Sequence, residues 1–278
     1  MGENFPKITI ITPVFNNVQF IESCILSILN QNYPNLEYIV IDGGSNDGTS
    51  EIIENYAERL AYFISEKDRG QTHALNKGFA KATGQVRAWL NADEEYLPGT
   101  LLEVGTYFMN NLNLDLYYGQ RIIMDINKNE IGRKYFPKMN PKHYMLYGMR
   151  VLPTDATFWS ERVHKLSGTL DEKNFPRLSM DYDWLLRISF HVKKWKHSKN
   201  YFSKFTERDD RSTRSVHLST IEKNGILIRK AIINKHVISK FNLVLGWFFV
   251  HIKIRFYEGR LFKFPRVISS FKHIIKTF

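Results

Sequence analysis

Two acidic segments contain the residues best suited to chemistry, and the first is Asn91-Ala-Asp-Glu94. It directly follows the apolar, strand-forming run Val86–Leu90, and no lysine or arginine occurs between Asn91 and Gly99. Clustered carboxylate and amide oxygens of this kind are suitable ligands for a divalent cation. The alternative is a solvated acidic turn, which a lone cluster of acids does not distinguish from a metal site.

The second segment is Leu178–Ile188, which has the period of a helix and places one acid on its apolar face. Asp181 shares that face with residues at spacings of three, four and seven, namely Trp184, Leu185 and Ile188. Asp183 points elsewhere and has Arg187 four residues later, the spacing of a surface ion pair. Ser179 is the expected N-cap. An acid on an inward face is a functional candidate, although the helix dipole alone also favours an acid here.

The elements that position these acids are predicted from the first half of the chain, where apolar strands alternate with amphipathic helices. The predicted strands are 8–14, 37–41, 61–65, 86–90 and 116–124, and the predicted helices are 18–31, 49–59 and 71–82. A polar hairpin-like turn is predicted over 125–133, and residues 134–150 show no clear period. Pro98 marks the first turn of a further helix. Apolar strands that alternate with helices indicate a parallel sheet covered by helices. Their loops meet at the carboxyl edge, where such sheets bind nucleotide-sized ligands.

The composition limits the class of protein. The chain has 278 residues, 43% of them hydrophobic, which suffices for one large domain or a domain with an appendage. Its single cysteine, Cys24, excludes an internal disulfide framework and a multi-cysteine metal site, and it is expected to be a small core residue. The polar N-terminus lacks a signal-peptide pattern, and no apolar run is long enough for a membrane-spanning helix.

The net charge of +11 is concentrated near the end of the chain. Residues 225–278 contain 11 of the 39 lysines and arginines but a single acid, Glu258. This basic, aromatic-rich segment is predicted to be a helical tail that lies on an anionic membrane surface. A helical layer packed on the rest of the chain, or on a second copy, is the alternative. Nucleic acid is not an expected partner, because no nucleic-acid-binding signature accompanies the basic residues.

Five segments together resemble a known family. They are Ile10-Ile-Thr-Pro-Val-Phe-Asn16, Ile39-Val-Ile-Asp-Gly-Gly-Ser-Asn-Asp-Gly-Thr49, Asp68-Arg-Gly-Gln71, Asn76-Lys-Gly78 and Trp89-Leu-Asn-Ala-Asp93. In this order and spacing they are similar to the successive signatures of family 2 glycosyltransferases, over residues 7–110 and more loosely to 205. The resemblance implies an α/β fold of GT-A type, with a mostly parallel sheet flanked by helices, a Rossmann-like nucleotide half, an acceptor half and the C-terminal basic helical extension.

The resemblance also implies roles for residues of the nucleotide half. The residues implied in nucleotide-sugar binding are Pro13, Phe15, Asp42, Asp68, Gln71, Asn76, Asn91 and Asp93. Pro13 and Phe15 would lie against the base with Asp42 beside them, although Phe15 taken alone is equally compatible with the core. The loop from Asp68 to Gln71 would close over the base and ribose. Asp93 corresponds to the direct ligand of Mg²⁺ or Mn²⁺, with Asn91 offering a neutral oxygen and Glu94 binding through water.

The chain departs from the family pattern at two positions. Gly43 stands where a second acid often contacts uracil, which leaves the identity of the base open. Leu75 stands where many relatives have an arginine directed at phosphate. The side chains that could replace this arginine are Arg208, Arg211, Arg214 and His217, and the sequence does not choose between them.

In the acceptor half, Asp181 corresponds to the family's catalytic base, and Met180 replaces a glutamate that usually precedes it. Thr157 and Trp159 correspond to the segment on the acceptor side, where they could contact the acceptor sugar. Trp159 is equally compatible with the core.

The expected protein is therefore a metal-dependent inverting glycosyltransferase. It would move a sugar from a nucleotide-diphosphate donor to a hydroxyl of a glycan or lipid-linked acceptor in cell-surface polysaccharide synthesis. The expected location is cytoplasmic, on the inner face of the cell membrane, and a homo-oligomer is left open. The expected domains are a catalytic domain over 1–222, divided near residue 115, and a tail over 223–278. The alternatives are a sugar nucleotidyltransferase and a non-catalytic membrane-associated protein that binds nucleotide sugars.

Overall fold

The computed structural model describes residues 5–146, 152–176 and 179–208, and ten residues between 224 and 250. The strands are β1 Ile8–Val14, β2 Leu36–Asp42, β3 Tyr62–Ser65, β4 Val86–Trp89, β5 Glu94–Tyr96, β6 Leu116–Met124, β7 Glu130–Lys134, β8 Thr157–Ser160 and β9 Trp195–Thr206. The helices are α1 Ile21–Leu29, α2 Thr49–Glu54, α3 Gln71–Lys81, α4 Thr100–Asn110, α5 Pro141–Leu146, α6 Glu161–Ser167 and α7 Met180–His191. Single 3₁₀ turns occupy Ala57–Arg59 and Thr154–Ala156.

One mixed sheet of nine strands joins the two halves of the chain. Its order is β3-β2-β1-β4-β8-β6-β9-β5, with β7 paired to β6. The first four strands in this order are parallel, as predicted from their alternation with helices. Beyond β4 the sheet is mixed, because β8 is antiparallel to both β4 and β6, whereas β6 is parallel to β9. The carboxyl ends of β1, β2, β3 and β4 therefore share one edge.

The core lies on both faces of this sheet. In β1, Ile11 points to the face covered by α3, α6 and α7, whereas Ile8 and Ile10 point to the face covered by α1 and α4. Cys24 belongs to the second face and is fully buried, as expected. Each fully buried aliphatic side chain contributes about 2 kcal/mol relative to an exposed one.

Helix α3 lies very close to the sheet. A Cβ atom at Gly78 would lie 2.6 Å from Cγ2 of Ile11, so a larger residue would push the helix away from β1. This close contact fixes α3 against the parallel strands, and the residues at its N-terminal end reach their carboxyl edge.

Two predicted helix starts differ from the structure. Pro98 precedes the N-terminal cap of α4, because the cap is Gly99, which has φ +82°, and the helix begins at Thr100. Before it, β5 pairs antiparallel with β9, a long-range pairing that its three residues do not reveal. Ser179 does occupy the N-cap position of α7, but it has φ +64° and its side chain makes no capping hydrogen bond.

The ten described residues of the C-terminal segment are helical and two-sided. Ile228, Ile232 and Val250 are buried within the core cluster that contains α7, so these residues pack on the face of the sheet that α7 covers. The exposed large apolar side chains are Leu227, Leu245 and Phe249. Among the residues that the structure describes, no helix has both the length and the apolar character needed to cross a membrane.

Candidate functional site

Phe15 follows β1 directly and projects from the carboxyl edge of the parallel strands. Its side chain is 60% exposed, which excludes the core as its place. Pro13 lies within β1, buried and paired in register with Ile41 of β2. Beyond them, the backbone N–H of Asn16 donates to Ser45 Oγ at 2.8 Å and joins the β1 loop to the β2 loop. An exposed aromatic ring above two joined loops is suited to stacking on a planar base.

Asp42 holds the loop that follows β2. It is fully buried, and its carboxylate accepts hydrogen bonds from the backbone N–H of Ser45 at 3.1 Å and from the hydroxyls of Ser45 and Ser65, both at 2.5 Å. Because both oxygens are occupied, the carboxylate braces the loop. Direct contact of Asp42 with a nucleoside stays a prediction and would require a shift of the loop, because the side chain has no exposed surface.

Asp68 occupies the space left by the absent side chain of Gly43. A Cβ atom at Gly43 would lie 2.7 Å from Oδ2 of Asp68, so an acid could not stand at both positions without a shift. The other oxygen of Asp68 accepts from the N–H of Gly70 at 2.7 Å, which fixes the carboxylate in this position. A carboxylate is thus present where the family pattern has one, but it comes from the neighbouring loop.

The acidic turn after β4 is joined to the start of α3. Nε2 of Gln71 donates to Oδ1 of Asn91 at 2.7 Å, which places these two predicted site residues side by side. Glu94 is buried and accepts from the backbone N–H of Asn91 at 2.9 Å, so its carboxylate closes the turn. This differs from the expectation that Glu94 binds a metal through water, because a buried and bonded carboxylate is not presented to a ligand.

Asp93 is half-buried and faces Arg208, which comes from the end of β9. Its Oδ2 atom lies 3.8 Å from Nη1 of Arg208. The same nitrogen donates to Oδ1 of Asn17 at 3.1 Å, and the guanidinium lies over the ring of Phe20 at 4.9 Å from its centroid. Arg208 therefore reaches the loop after β1 and the turn after β4. Arg208 is one of the side chains predicted to replace the arginine that is absent at Leu75. The other three, Arg211, Arg214 and His217, lie outside the described residues.

Asp181 lies in the first turn of α7 and is connected to the acidic turn through α3. Thr72, next to Gln71, donates from its hydroxyl to the carbonyl of Phe175 at 2.6 Å, and the same oxygen lies 2.9 Å from Sδ of Met180. Its N–H donates to the carbonyl of Pro176 at 3.2 Å. Desolvation raises the pKa of the Asp181 carboxyl, and this effect exceeds the lowering by the N–H of Tyr182, which donates to it at 2.8 Å. A carboxylate with a raised pKa is suited to accept a proton.

Asp183, two residues later, has a different environment. Its Oδ2 accepts from Arg187 at 2.7 Å and 2.9 Å, so the ion pair inferred from their spacing is confirmed. However, Asp183 is buried rather than at the surface, and burial raises its pKa more than Arg187 lowers it. Asp183 is buried because α6, the loop after it and the first described residues of the tail cover this side of α7.

Three of the predicted binding residues have structural roles instead. Asn76 uses both groups of its amide on the backbone of Leu170, donating at 3.1 Å and accepting at 2.9 Å. Thr157 is fully buried and donates to the carbonyl of Pro153 at 2.5 Å. Trp159 is also fully buried, and its Nε1 donates to Nδ1 of His164 at 3.2 Å. The two acceptor-side assignments are therefore corrected, because neither side chain reaches a ligand.

A buried ion pair that the sequence did not indicate lies between β6 and the turn before β8. Nη2 of Arg121 is 2.8 Å from Oδ1 of Asp155, which has no exposed surface. Asp155 stands in the short sequence Pro-Thr-Asp-Ala, where no periodicity shows that it is buried. The signal that could have found it is the acid itself, within an otherwise apolar segment.

The few oxygen ligands near Asp93 suit a metal ion that is coordinated mainly by a bound phosphate group and water. No group of three or more histidine, cysteine or acidic side chains close enough to hold a metal occurs among the described residues. Asp93 provides one carboxylate, and Asn91 beside it provides a neutral oxygen. Mg²⁺ and Mn²⁺ accept such sparse protein ligation when phosphate oxygens and water complete the shell.

Solved structures share this α/β architecture. S. aureus TarS 1–349 in complex with UDP-GlcNAc matches with a TM-score of 0.67 and 16% identity, over 89% of this chain and 73% of that one. The mannosyltransferase PcManGT from Pyrobaculum calidifontis, in complex with GDP-Man and Mn²⁺, matches with a TM-score of 0.57 and 16% identity, over 99% and 81%. The predicted GT-A fold is confirmed.

The sequence comparisons establish the family. The model of glycosyl transferase family 2 matches residues 9–162, and the chain belongs to that family. An uncharacterized glycosyltransferase of Haemophilus influenzae is 36% identical over 131 residues, which are 46% of this chain and 52% of that protein. The GalNAc(5)-diNAcBac-PP-undecaprenol beta-1,3-glucosyltransferase of Campylobacter jejuni is 35% identical over 100 residues, 34% and 32% of the two chains. The chain thus spans about half or less of the length of these relatives.

Proposed function

We propose that this glycosyltransferase transfers a sugar, with inversion, from a nucleotide-diphosphate donor to a hydroxyl of a glycan or lipid-linked acceptor in cell-surface polysaccharide synthesis. The observation that carries the proposal is the bridge made by the first turn of α3. Gln71 bonds the turn that contains Asp93, and Thr72 bonds the segment that leads into α7 and contacts Met180, the residue before Asp181. This connection through one turn of helix supports the proposal that Asp93 and Asp181 serve the same reaction.

In the proposed reaction, Asp181 is the general base. Its carboxylate accepts the proton of the acceptor hydroxyl while that oxygen attacks the anomeric carbon from the side opposite the diphosphate. The bond to the new oxygen forms as the bond to the diphosphate oxygen breaks, so one displacement gives inversion without a covalent intermediate. The raised pKa of Asp181 brings its basicity closer to what proton abstraction near neutral pH requires.

The diphosphate is proposed to lie between Asp93 and Arg208. Asp93 would hold Mg²⁺ or Mn²⁺, which when bound neutralises charge on the leaving diphosphate. Arg208 would donate to phosphate oxygens, a geometry that guanidinium groups favour. Its present position, 3.8 Å from Asp93 and bonded to Asn17, keeps it at the edge where the diphosphate would sit.

The nucleobase is proposed to stack on Phe15 and to be read by Asp68. Because Asp68 fills the space above Gly43, its carboxylate can accept an N–H from a base edge that a family acid at position 43 would otherwise reach. We expect Asp68→Asn to change the order of preference among UDP-, GDP- and dTDP-sugars. A thermal-shift screen with Mn²⁺ measures this, since a ligand that binds the folded state raises its apparent stability. An unchanged order of preference would remove Asp68 from base recognition.

The tail is proposed to hold the enzyme on an anionic membrane surface at the cytoplasmic side. Leu227, Leu245 and Phe249 give it exposed apolar side chains, and the sequence places many basic residues around them. Neutralising Arg255, Arg260, Lys263 and Arg266 should abolish sedimentation with phosphatidylserine vesicles, since each such residue contributes about 1 kcal/mol. The control variant neutralises four exposed lysines of the catalytic domain, namely Lys67, Lys81, Lys138 and Lys173. Equal vesicle binding by both variants would contradict the proposal.

The test of the whole proposal is to incubate the protein with the nucleotide sugar selected by the thermal-shift screen and to identify the released nucleotide. We expect release of the nucleoside diphosphate, together with sugar transfer to acceptor or slow transfer to water. Release of pyrophosphate from a nucleoside triphosphate and a sugar phosphate would instead identify a nucleotidyltransferase. Binding of donor without any turnover would identify a non-catalytic binding protein.

A further inference from the structure

A cleft with a volume of about 920 Å³ lies between the loop after α6, helix α7 and residues 224–232 of the tail, and we call it the tail cleft. This volume is near the upper end of the range of roughly 300 to 1,000 Å³ that ligand pockets cover. Among the described residues that line it, the proposed donor contacts Phe15, Asp68 and Asp93 do not occur. The tail cleft is therefore distinct from the proposed donor site.

One wall of the tail cleft is a single face of a helical segment. The lining residues of this wall are Asn224, Leu227, Ile228, Ala231 and Ile232. Their spacing of three, four, seven and eight residues is that of one side of a helix. Ile228 and Ile232 are buried against the core, whereas Leu227 is 60% exposed. Apart from Asn224 at its beginning, this wall presents aliphatic groups along about two turns of helix.

The opposite wall is polar and consists mainly of the loop after α6. It includes the hydroxyl of Thr169 and the amide of Asn174. Asp171 accepts hydrogen bonds from the N–H and the side-chain amide of Asn174 at 3.0 Å and 2.7 Å, which fixes the loop in a turn. The loop is also anchored to α3, where Nδ2 of Asn76 donates to the carbonyl of Leu170 at 3.1 Å. The polar groups of this wall are thus held on a fixed loop.

The charged side chains of the polar wall compensate one another. Of the described lining residues, three are acids and two are bases. Asp183 is paired with Arg187 at 2.7 Å, and Glu172 is paired at 2.5 Å with Arg69, which lies outside the lining. When Arg69 is included, the two signs are equal in number. A phosphate-rich ligand would meet no excess of positive charge here, so this wall favours an uncharged polar ligand.

An aliphatic wall that faces an uncharged polar wall matches a ligand with the same division. Hydroxyl and amide side chains both donate and accept hydrogen bonds, as sugar hydroxyls do. A purely apolar ligand would remove these groups from water without replacing their hydrogen bonds, which costs free energy. The ligand that suits both walls is an amphiphile whose apolar chain carries an uncharged saccharide.

The tail cleft reaches the beginning of the helix that contains the proposed base. Nδ2 of Asn224, in the lining, donates to Oγ of Ser179 at 3.4 Å. Ser179 occupies the N-cap position of α7, and Asp181 follows two residues later in the first turn of that helix. One end of the tail cleft therefore lies beside the helix turn that carries Asp181.

We propose that the tail cleft binds a glycolipid as the acceptor, with its chain along the tail and its uncharged saccharide against the loop after α6. The inference rests on the proposed function in that the bound glycolipid is taken as the acceptor. It narrows the acceptor from a glycan or lipid-linked molecule to a lipid-linked one. It also gives the tail a second role, since its helical face contributes one wall of a substrate site.

The test is binding of n-alkyl β-glucosides, from hexyl to decyl, to the full chain without donor and without vesicles. Isothermal titration calorimetry below the micelle-forming concentrations measures the affinity. We expect the affinity to rise about fourfold with each added methylene, because each one is buried against the aliphatic wall. Decyl maltoside should displace decyl glucoside more strongly than decyl phosphate does. The reverse order would overturn the assignment of an uncharged saccharide.

Two pairs of variants locate the bound chain. Ala231 is exposed, so Ala231→Trp can fill the tail cleft from its open side, and it should weaken binding of decyl glucoside about tenfold. The matched control is Leu245→Trp, at an exposed tail leucine outside the described lining, which should bind like the wild type. Should Ala231→Trp not fold, Leu227→Ser compared with Leu245→Ser decides in the same way, with an expected loss of about fivefold in the first of them.

The proposal is overturned if the affinity is independent of chain length, or if Ala231→Trp binds like Leu245→Trp. Because binding is measured without donor, its result does not depend on turnover. Binding with the expected dependence but no transfer to any glycolipid would contradict the proposed function alone. Transfer to alkyl glycosides with a KM that is independent of chain length and unchanged in Ala231→Trp would contradict the role of the tail cleft and leave the proposed function intact.

Discussion

The two acids of the proposed reaction centre are held in contrasting ways. Asp93 follows a parallel strand, lies next to exposed loops and has a cation, Arg208, at 3.8 Å. Asp181 lies in the first turn of α7, where burial raises the pKa of its carboxyl. The first acid thus lies beside a cation, whereas the second lies in a desolvated environment that favours the uptake of a proton.

The largest expected effect comes from the acceptor half, with Asp181→Asn. Loss of a general base should lower transfer about 10³-fold while the affinity for donor is retained. The matched control is Asp183→Asn, which removes an acid from the same helix turn. Because Asp183 pairs with Arg187, its loss should lower thermal stability but leave transfer per folded molecule close to normal. Near-normal transfer by Asp181→Asn would remove it from the role.

The next effect belongs to the nucleotide half, with Asp93→Asn or removal of metal. Losing the proposed cation, which would neutralise charge on the leaving diphosphate, should lower transfer about 100-fold, which corresponds to about 2.7 kcal/mol in the barrier. Mn²⁺ or Mg²⁺ should restore the stripped wild-type protein but not the variant, as measured by release of nucleoside diphosphate. Full activity of metal-stripped protein in chelator would break the assignment of Asp93.

A smaller effect is expected for Arg208→Gln. Removing one charged hydrogen bond to phosphate should raise KM for the donor about tenfold, with less effect on kcat if the contact is equally strong in the ground state. Arg59→Gln, an exposed arginine, provides the control. A normal KM would remove Arg208 from this role and leave Arg211, Arg214 and His217 as the candidates.

The last prediction concerns the free energy of unfolding rather than catalysis, and it belongs to the acceptor half. Burial lowers the pKa of His164 from 6.5 to about 3, so it stays neutral in the folded protein while the unfolded chain takes up a proton below pH 6.5. The free energy of unfolding should therefore fall by roughly 2 kcal/mol between pH 7.5 and pH 5. His164→Gln should remove that part of the pH dependence in urea titrations. Identical slopes for the two proteins would show that His164 titrates normally.

The nucleotide half could be predicted from sequence because its signals are local. Each parallel strand and the polar loop behind it are adjacent in the chain, so strand patterns alone bring Gln71, Asn91 and Asp93 to one edge. Cys24 was placed correctly for the same reason, since the period of one helix decides which face is buried.

The acceptor half could be predicted only in part because its contacts join distant segments. Two residues of the nucleotide half are fixed by partners in the acceptor half, since Asn76 bonds to Leu170, 94 residues later, and Glu94 pairs in register with Phe205. No local pattern reports such partners. Thr157 and Trp159 were assigned by family position, which does not reveal that both side chains point into the core. Arg121 and Asp155 were missed because a buried ion pair leaves no periodic trace.

The central claim is that one displacement, assisted by Asp181, transfers the sugar, and the stereochemistry of the product tests it most directly. A donor of known anomeric configuration is incubated with the wild-type protein, and the anomeric proton of the first-formed product is observed by NMR before any mutarotation. We expect the new bond to have the opposite configuration to the donor. Retention of configuration would require a second displacement or a different mechanism, and would contradict the account.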